Sequence, residues 1–473
     1  MQYLRCHVHV TYLWLIPGIE YFAIGVALGT LPRRGCDAAK DMYEGRLKGL
    51  KGDELDSSLT SIFESQRKRL SQYLKLPQGA EIILCPSGSD AEYIPVAMAK
   101  ALHPNKTIAN GVTQFNEIGA GTELASRGDY FSTHAPFLGA NEEKTLSGFD
   151  GVKGFYVNAR SKDGSVINAS EEMNTFCAKQ IEEGNYPIVH GVFGGKTGVR
   201  DEVMPDSQEG GDKSMGIVDA CQGRFTLDEM KEWMDQESVV LFTTSKFFQA
   251  PPFCGAVLVP PTIAKKLSTA TIPNEMITGS TGLAAFLTDK ELPACLQNWK
   301  NPLRNKENNN VGLALRWEAG LAGMEALLSV PDKDRMSLSN DWASAVKSMV
   351  DADALLDTFS LERSIVSIRI GKNSGGWLDM AEARDLYRWI SLDVSEVVAI
   401  ASNDEKVALS TVAYIGQPVS VSESHAIVRI ALGVESMLTY VSDKDATLKE
   451  DELTVRKLAA IAKYFQSLKN SGV

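Results

Sequence analysis

Three short segments carry groups whose types and spacing could do chemistry together. Asp219, in Val218-Asp219-Ala220-Cys221-Gln222, follows the hydrophobic run Met215-Gly216-Ile217-Val218. Lys246, in Thr243-Thr244-Ser245-Lys246, follows a second run, Val239-Val240-Leu241-Phe242. Each reads as a strand that delivers a polar residue from its carboxyl end, where open α/β sheets bind their ligands. An amine placed there can form a Schiff base with an aldehyde. A carboxylate placed there can keep a ring nitrogen protonated. The third segment lies upstream: Glu81-Ile82-Ile83-Leu84-Cys85, then Pro86-Ser87-Gly88-Ser89-Asp90, then an apolar-periodic stretch from Ala91 to Leu102. This pattern predicts strand, glycine turn and helix N-terminus, whose open N–H groups and positive dipole end suit a phosphate. Gly88 lets backbone come close, and Ser87 and Ser89 can donate hydroxyl hydrogen bonds.

An aldehyde, a pyridine nitrogen and a phosphate are the three handles of pyridoxal 5′-phosphate (PLP). Taken singly, each segment has an ordinary explanation. A lysine after a strand is usually a solvated surface residue, an aspartate is often a helix cap, and Ser-Gly-Ser is commonly a turn. All three occur in the order phosphate turn, aspartate, lysine, each after a strand-like run, and that combination points to the cofactor.

In this order the chain resembles the fold-type I PLP enzymes, and in detail the class V aminotransferase and cysteine desulfurase superfamily. Asp219-Ala220-Cys221-Gln222 is similar to that family's Asp-Ala-x-Gln. Thr243-Thr244-Ser245-Lys246 is similar to its Ser-x-His-Lys, with serine where the histidine stands. Pro252 to Val259 resembles the glycine-containing strand after the lysine. The resemblance spans roughly residues 80–300 well and the last third weakly. It implies that Lys246 carries the cofactor, Asp219 pairs with the pyridinium nitrogen, Gln222 contacts the ring's phenolic oxygen, and Thr243 bonds the phosphate. It implies that Thr278-Gly279-Ser280-Thr281, through Ser280, reaches the phosphate of a neighbouring subunit in a homodimer with shared sites. The ring-stacking histidine aligns with Glu117, with Phe115 nearby. Arg429, alone in the apolar run Ala426 to Gly433, aligns with an arginine that grips the substrate α-carboxylate, a task suited to a guanidinium fork. The alternative for Arg429 is a structural salt bridge. In His190 to Gly198 relatives carry a cofactor-contacting asparagine, whereas this chain has glycine and Lys196. Lys196 either binds a substrate acid group or faces solvent.

Composition bounds the answer. The 473 residues are enough for two or three domains. A net charge of −12 argues against nucleic acid or an anionic membrane as partner. Seven scattered cysteines with no CxxC spacing form the reduced intracellular pattern. No histidine pattern beyond His7-Val8-His9 suggests a metal, so none is expected. Residues 1–31 contain two apolar runs broken by Pro17, Gly18 and Glu20, too interrupted for a stable membrane span. They read as a targeting segment or an N-terminal arm, so the location expected is cytoplasmic, or an organelle if the segment is a leader.

The elements that must position these groups read as α/β. A helical stretch runs from Ala38 to about Leu74, with Ile62, Leu70 and Leu74 facing inward. Candidate strands at 81–85, 107–112, 154–157, 187–193, 215–218, 239–242 and 255–259 are joined by helical crossovers. They predict a mainly parallel seven-stranded sheet of the PLP-dependent transferase-like kind. A polar break at 298–310 leads into an amphipathic helix from Val311 to Leu328. Further elements follow at Ser364–Ile370, Val407–Tyr414 and His425–Leu432, a smaller α+β C-terminal domain. The expected division is an extension at 1–35, a PLP-binding large domain at 36–300 and a small domain at 301–473.

The reaction is narrowed by what is missing. No cysteine follows Cys295, which removes the usual desulfurase nucleophile. Group II decarboxylases carry histidine directly before the lysine, where this chain has Ser245. Transamination of an amino acid or related amine is the first expectation, and a carbon–sulfur or other β-eliminating lyase the second. A PLP-fold regulator without turnover is the third, and the intact Lys246 and Asp219 argue against it.

Overall fold

A computed structural model describes residues 32–138, 144–277, 281–305, 307–398 and 401–472. Seven strands form one sheet: β1 (Glu81–Cys85), β2 (Ile108–Val112), β3 (Lys153–Tyr156), β4 (Tyr186–Val192), β5 (Met215–Asp219), β6 (Val239–Thr243) and β7 (Gly255–Val259). Their spatial order is β1-β7-β6-β5-β4-β2-β3. Strands β4 and β6 are buried at every position, as a strand covered on both faces must be. Six strands run parallel. Strand β7 alone is antiparallel, inserted between β1 and β6. Gly255 at its start pairs with both Cys85 and Thr243, so the carboxyl ends of β1 and β6 lie level at the same edge of the sheet. The helix Leu227–Asp235 links β5 to β6 and starts with a capping box between Thr226 and Glu229.

A second, antiparallel sheet has the order β10-β11-β9-β8, from β8 (Leu356–Glu362), β9 (Ile365–Ile370), β10 (Gly416–Ser420) and β11 (Ala426–Ala431). The strands expected near 364–370 and 425–432 are β9 and β11. Strands β8 and β10 were not anticipated. The stretch 407–414 starts inside the helix Asn403–Ser410, whose beginning is set by a capping box between Ser402 and Glu405.

The N-terminal helical stretch divides into Arg33–Met42, a π-helical turn and Gly52–Leu74. Ile62, Leu70 and Leu74 are buried on its inner face. The helix Val311–Leu327 is not one-sided as its sequence spacing predicted. It is wrapped by Arg33–Met42, Gly52–Leu74 and Val434–Ser442, and a helix covered on several sides buries most of its circumference. Its remaining charged residues meet partners: Arg69 bonds both Glu318 (2.8 Å) and Glu325 (2.6 Å). The polar break before it holds a short helix, Gln297–Leu303, that buries Trp299 and Leu303. Among the described residues no helix is long and apolar enough to cross a membrane.

Candidate active site

The loops after β1, β2, β4, β5 and β6 leave the same edge of the large sheet, and the residues singled out by chemistry lie on them. Asp219 ends β5 beside Val192 of β4 and Leu241 of β6. One of its oxygens accepts the N–H of Cys221 at 3.0 Å. Burial raises its carboxyl above the ordinary range, opposed by hydrogen bonds from Cys221 and the charge of Lys246. Beneath it, Glu92 and His190 face each other at 3.7 Å, both fully buried. Burial holds the His190 imidazole neutral, down to about 3, and raises Glu92 well above the carboxylate range.

Lys246 lies three residues past β6, half-buried. Burial pulls its ammonium down to about 8, helped by the positive charges of Arg429, Lys196 and Arg224 against an opposing contribution from Cys221. These four cations come from three loops and from β11 of the second sheet. Among the described residues none of the four makes an ion pair. Arg224 donates to Ser364 Oγ (2.8 Å), to the Gln222 carbonyl (3.1 Å) and side-chain oxygen (3.2 Å), and to the Leu432 carbonyl (3.3 Å). Burial lowers it to about 9 and Arg429 to about 10. Arg429 donates to the carbonyls of Lys196 and Gln417. No structural salt bridge holds it among the described residues, and Lys196 does not simply face solvent.

The glycine turn stands where the first segment required. A Cβ on Gly88 would come within 2.9 Å of the Thr243 methyl and 3.2 Å of the Cys221 sulfur. A Cβ on Gly255 would collide with the Ser87 carbonyl. Both glycines let the turn seat against the ends of β5, β6 and β7. Ser87 caps the turn: it accepts the Asp90 N–H at 3.0 Å and donates to the Asp90 carboxylate at 2.6 Å. Its hydroxyl proton is thereby engaged, which leaves Ser89 and the N–H groups of Gly88 and Ser89 as the turn's candidate donors. Thr243 donates to the Cys221 carbonyl (3.1 Å) and sits 3.1 Å from Ser245 Oγ. Gln222 has its side-chain oxygen held by Arg224, so its amide N–H groups are the free ones.

Glu117 serves as an anchor in this arrangement. Its carboxylate takes Arg160 Nε at 2.7 Å and both the N–H (3.1 Å) and hydroxyl of Thr197. This fully buried pair ties the loop after β2 to the segment after β3, and Thr197 ties both to the loop after β4. Phe115 packs at a tilt against Tyr156, 5.7 Å between centroids. Ser280, with Thr278 and Gly279, lies outside the described residues. The sequence reading overlooked Arg224, although it sits two residues past the Gln222 that was singled out. It also missed Arg160 and Glu92, which carry no local motif.

No protein-family model matches the sequence, and no curated protein matches it. Solved structures do resemble it. The tryptophan decarboxylase of Catharanthus roseus in complex with L-tryptophan superposes at TM-score 0.55, with 12% identity over 92% of this chain and 82% of that one. The glutamate decarboxylase domain of a diaminobutyrate–pyruvate transaminase and L-2,4-diaminobutyrate decarboxylase from Vibrio parahaemolyticus gives 0.53, with 11% identity over 94% and 81%. Oryza sativa TDC with PLP and tryptamine gives 0.50, with 13% identity over 90% and 82%. Identity this low speaks to fold alone. The seven-stranded sheet with one antiparallel strand, followed by the smaller antiparallel sheet, is the fold of the fold-type I PLP-dependent enzymes.

Proposed function

We propose that this chain is a PLP-dependent enzyme acting on an amino acid or related amine through Lys246, and that its reaction is a transamination. The observation that carries the reading is the meeting of Lys246 and Asp219 at the ends of adjacent strands, among cations that make no ion pair among the described residues. The residues fit the cofactor. The Gly88 turn is a cradle that a Cβ would fill, Asp219 is a carboxylate set low in the site, and Lys246 is an amine kept partly neutral near physiological pH.

When bound, PLP supplies an aldehyde for the amine and a ring that draws electrons away from the substrate's α-carbon. The chain's own residues do the rest. Asp219 would hold a proton on the ring nitrogen, its charged form supported by the Cys221 N–H and by Lys246. Gln222, oriented by Arg224, would donate to an oxygen on the ring. Ser89 and the Gly88 backbone would hold the phosphate, with Thr243 alongside. Lys246, basic only above about pH 8, would take and return the α-proton. Arg429 would grip the α-carboxylate. In a homodimer, Ser280 of each copy would complete the phosphate site of the other.

The test is a visible absorbance spectrum of the purified protein, followed by borohydride reduction and addition of single amino acids. A band that borohydride fixes onto Lys246 is expected. Release of a keto acid with conversion of the cofactor to its amine form means transamination. Keto acid with an expelled β-substituent, the cofactor unchanged, means a lyase. Carbon dioxide with an amine product would make it a decarboxylase and overturn the proposed reaction. No band with added PLP would overturn the whole reading.

A further inference from the structure

We propose that Lys196 is a second anion subsite, so that the substrate is an amino acid with an acidic group on its side chain. The inference rests on the function proposed above and follows from counting donors around Lys246. Arg224 spends its guanidinium on four neutral acceptors and acts as a strut. Arg429 spends two of its five N–H groups on carbonyls and turns its Nε toward Gly416, so the N–H groups left on its terminal nitrogens would serve one carboxylate. Lys196 is different. Its backbone N–H is held by the Glu117 carbonyl at 2.7 Å and its own carbonyl by Arg429. Its ammonium meets no hydrogen-bond acceptor or ion-pair partner among the described residues, although the side chain is half-buried.

The loop that carries Lys196 is built. Gly195 and Gly198 close it by backbone bonds of 2.6 and 3.0 Å, and the Glu117–Arg160–Thr197 clamp pins it from below. Glu117, whose charge Lys196 feels, is already committed to that clamp. A cation withdrawn from water without a counter-charge is a cost to folding that a bound anion relieves. One α-carboxylate on Arg429 leaves Lys196 unanswered. Arg429 bonds the Lys196 carbonyl and its charge bears on the Lys196 ammonium, so the two cations are near enough that a short ligand with two acidic ends would meet both.

The experiment is calorimetry on the purified protein with propionate, succinate and 3-sulfopropionate, its cofactor absorbance recorded in parallel. Succinate, 3-sulfopropionate or both should bind about tenfold more tightly than propionate, the scale of one charge-assisted hydrogen bond. The tighter of the two tells a carboxylate from a sulfur oxyacid. Lys196→Met should remove the preference while propionate still binds, and Lys196→Arg should keep it. Equal affinity for all three ligands, or a preference that survives Lys196→Met, overturns the inference. A missing cofactor band instead strikes the proposed function, since the calorimetric preference is read without it.

Discussion

Two lysines, one in each half of the molecule, are pushed by burial to the same basicity of about 8 and are held in opposite ways. Lys457, on the helix Lys444–Lys463, is fully buried, and all three of its N–H groups are taken. They go to the carbonyls of Ile390 (2.9 Å), Leu392 (2.6 Å) and Thr411. Ile390 and Leu392 lie at the end of the helix Met380–Ile390, and Thr411 follows Asn403–Ser410, so the ammonium closes two helix C-termini at their negative ends. Lys246 has the same depressed basicity, three cationic neighbours and, among the described residues, no carbonyl socket. A lowered pKa therefore does not by itself mark chemistry. The mark is an amine whose hydrogen-bonding capacity the fold has left unspent.

Substitution at either lysine separates the two roles. Lys246→Ala should cost the most in activity, on the order of 10²–10⁴-fold or more, with unfolding by denaturant unchanged. A loss of stability there would erase the distinction. Lys457→Met should do the reverse. Three stranded carbonyls should lower the unfolding free energy by about 2–4 kcal/mol, while the folded protein keeps its activity per molecule. Only the neutral amine attacks an aldehyde, and a pKa of about 8 means that protonation falls as pH rises through that value. The rate of covalent capture of added PLP should therefore rise roughly fivefold from pH 7 to 8 and then level off. A flat profile would show that Lys246 is not the reacting group. The smallest effect is expected from Gly416→Ala. A Cβ there comes within 2.8 Å of the Arg429 guanidinium and must displace it. Arg429 is the strongest of the charges that depress Lys246, so the midpoint of the same pH profile should move upward.

Much of this architecture is legible in the sequence because β1, β5 and β6 are short apolar runs with a candidate site residue at or just past the end of each. Seven such runs became seven strands, within a residue or two at their ends. Asp219 and Lys246 could be placed at strand ends because the strands before them are buried on both faces and read without alternation. Direction is not written in such a run, so nothing local showed that β7 is antiparallel. Strands β8 and β10 were hidden because they carry polar residues such as Asp357, Ser360 and Gln417 on a half-exposed sheet. The helix Val311–Leu327 looked one-sided because its partners, 33–74 and 434–442, come from distant parts of the chain. The same distance concealed the clamp on Glu117 and the socket of Lys457, whose meaning lies wholly in carbonyls from other helices. Hydroxyl orientation was beyond reach as well: Ser87 and Thr243 have the right type and place, but neighbours absent from their motifs decide where their protons point.

The antiparallel insertion of β7 has a consequence for the order in which the protein can assemble. Strand β1 pairs with β7 alone, and β7 follows it by about 170 residues. During synthesis the apolar run Ile82-Ile83-Leu84 must therefore wait, unpaired, until most of the large sheet has been made. A ribosome-bound chain that stops before Gly255 should expose that run to chaperones or to other nascent chains, and one released after Val259 should not. The glycine turn and the lysine loop thus come into register in the same late event, so the site is completed only when the sheet's last strand is in place.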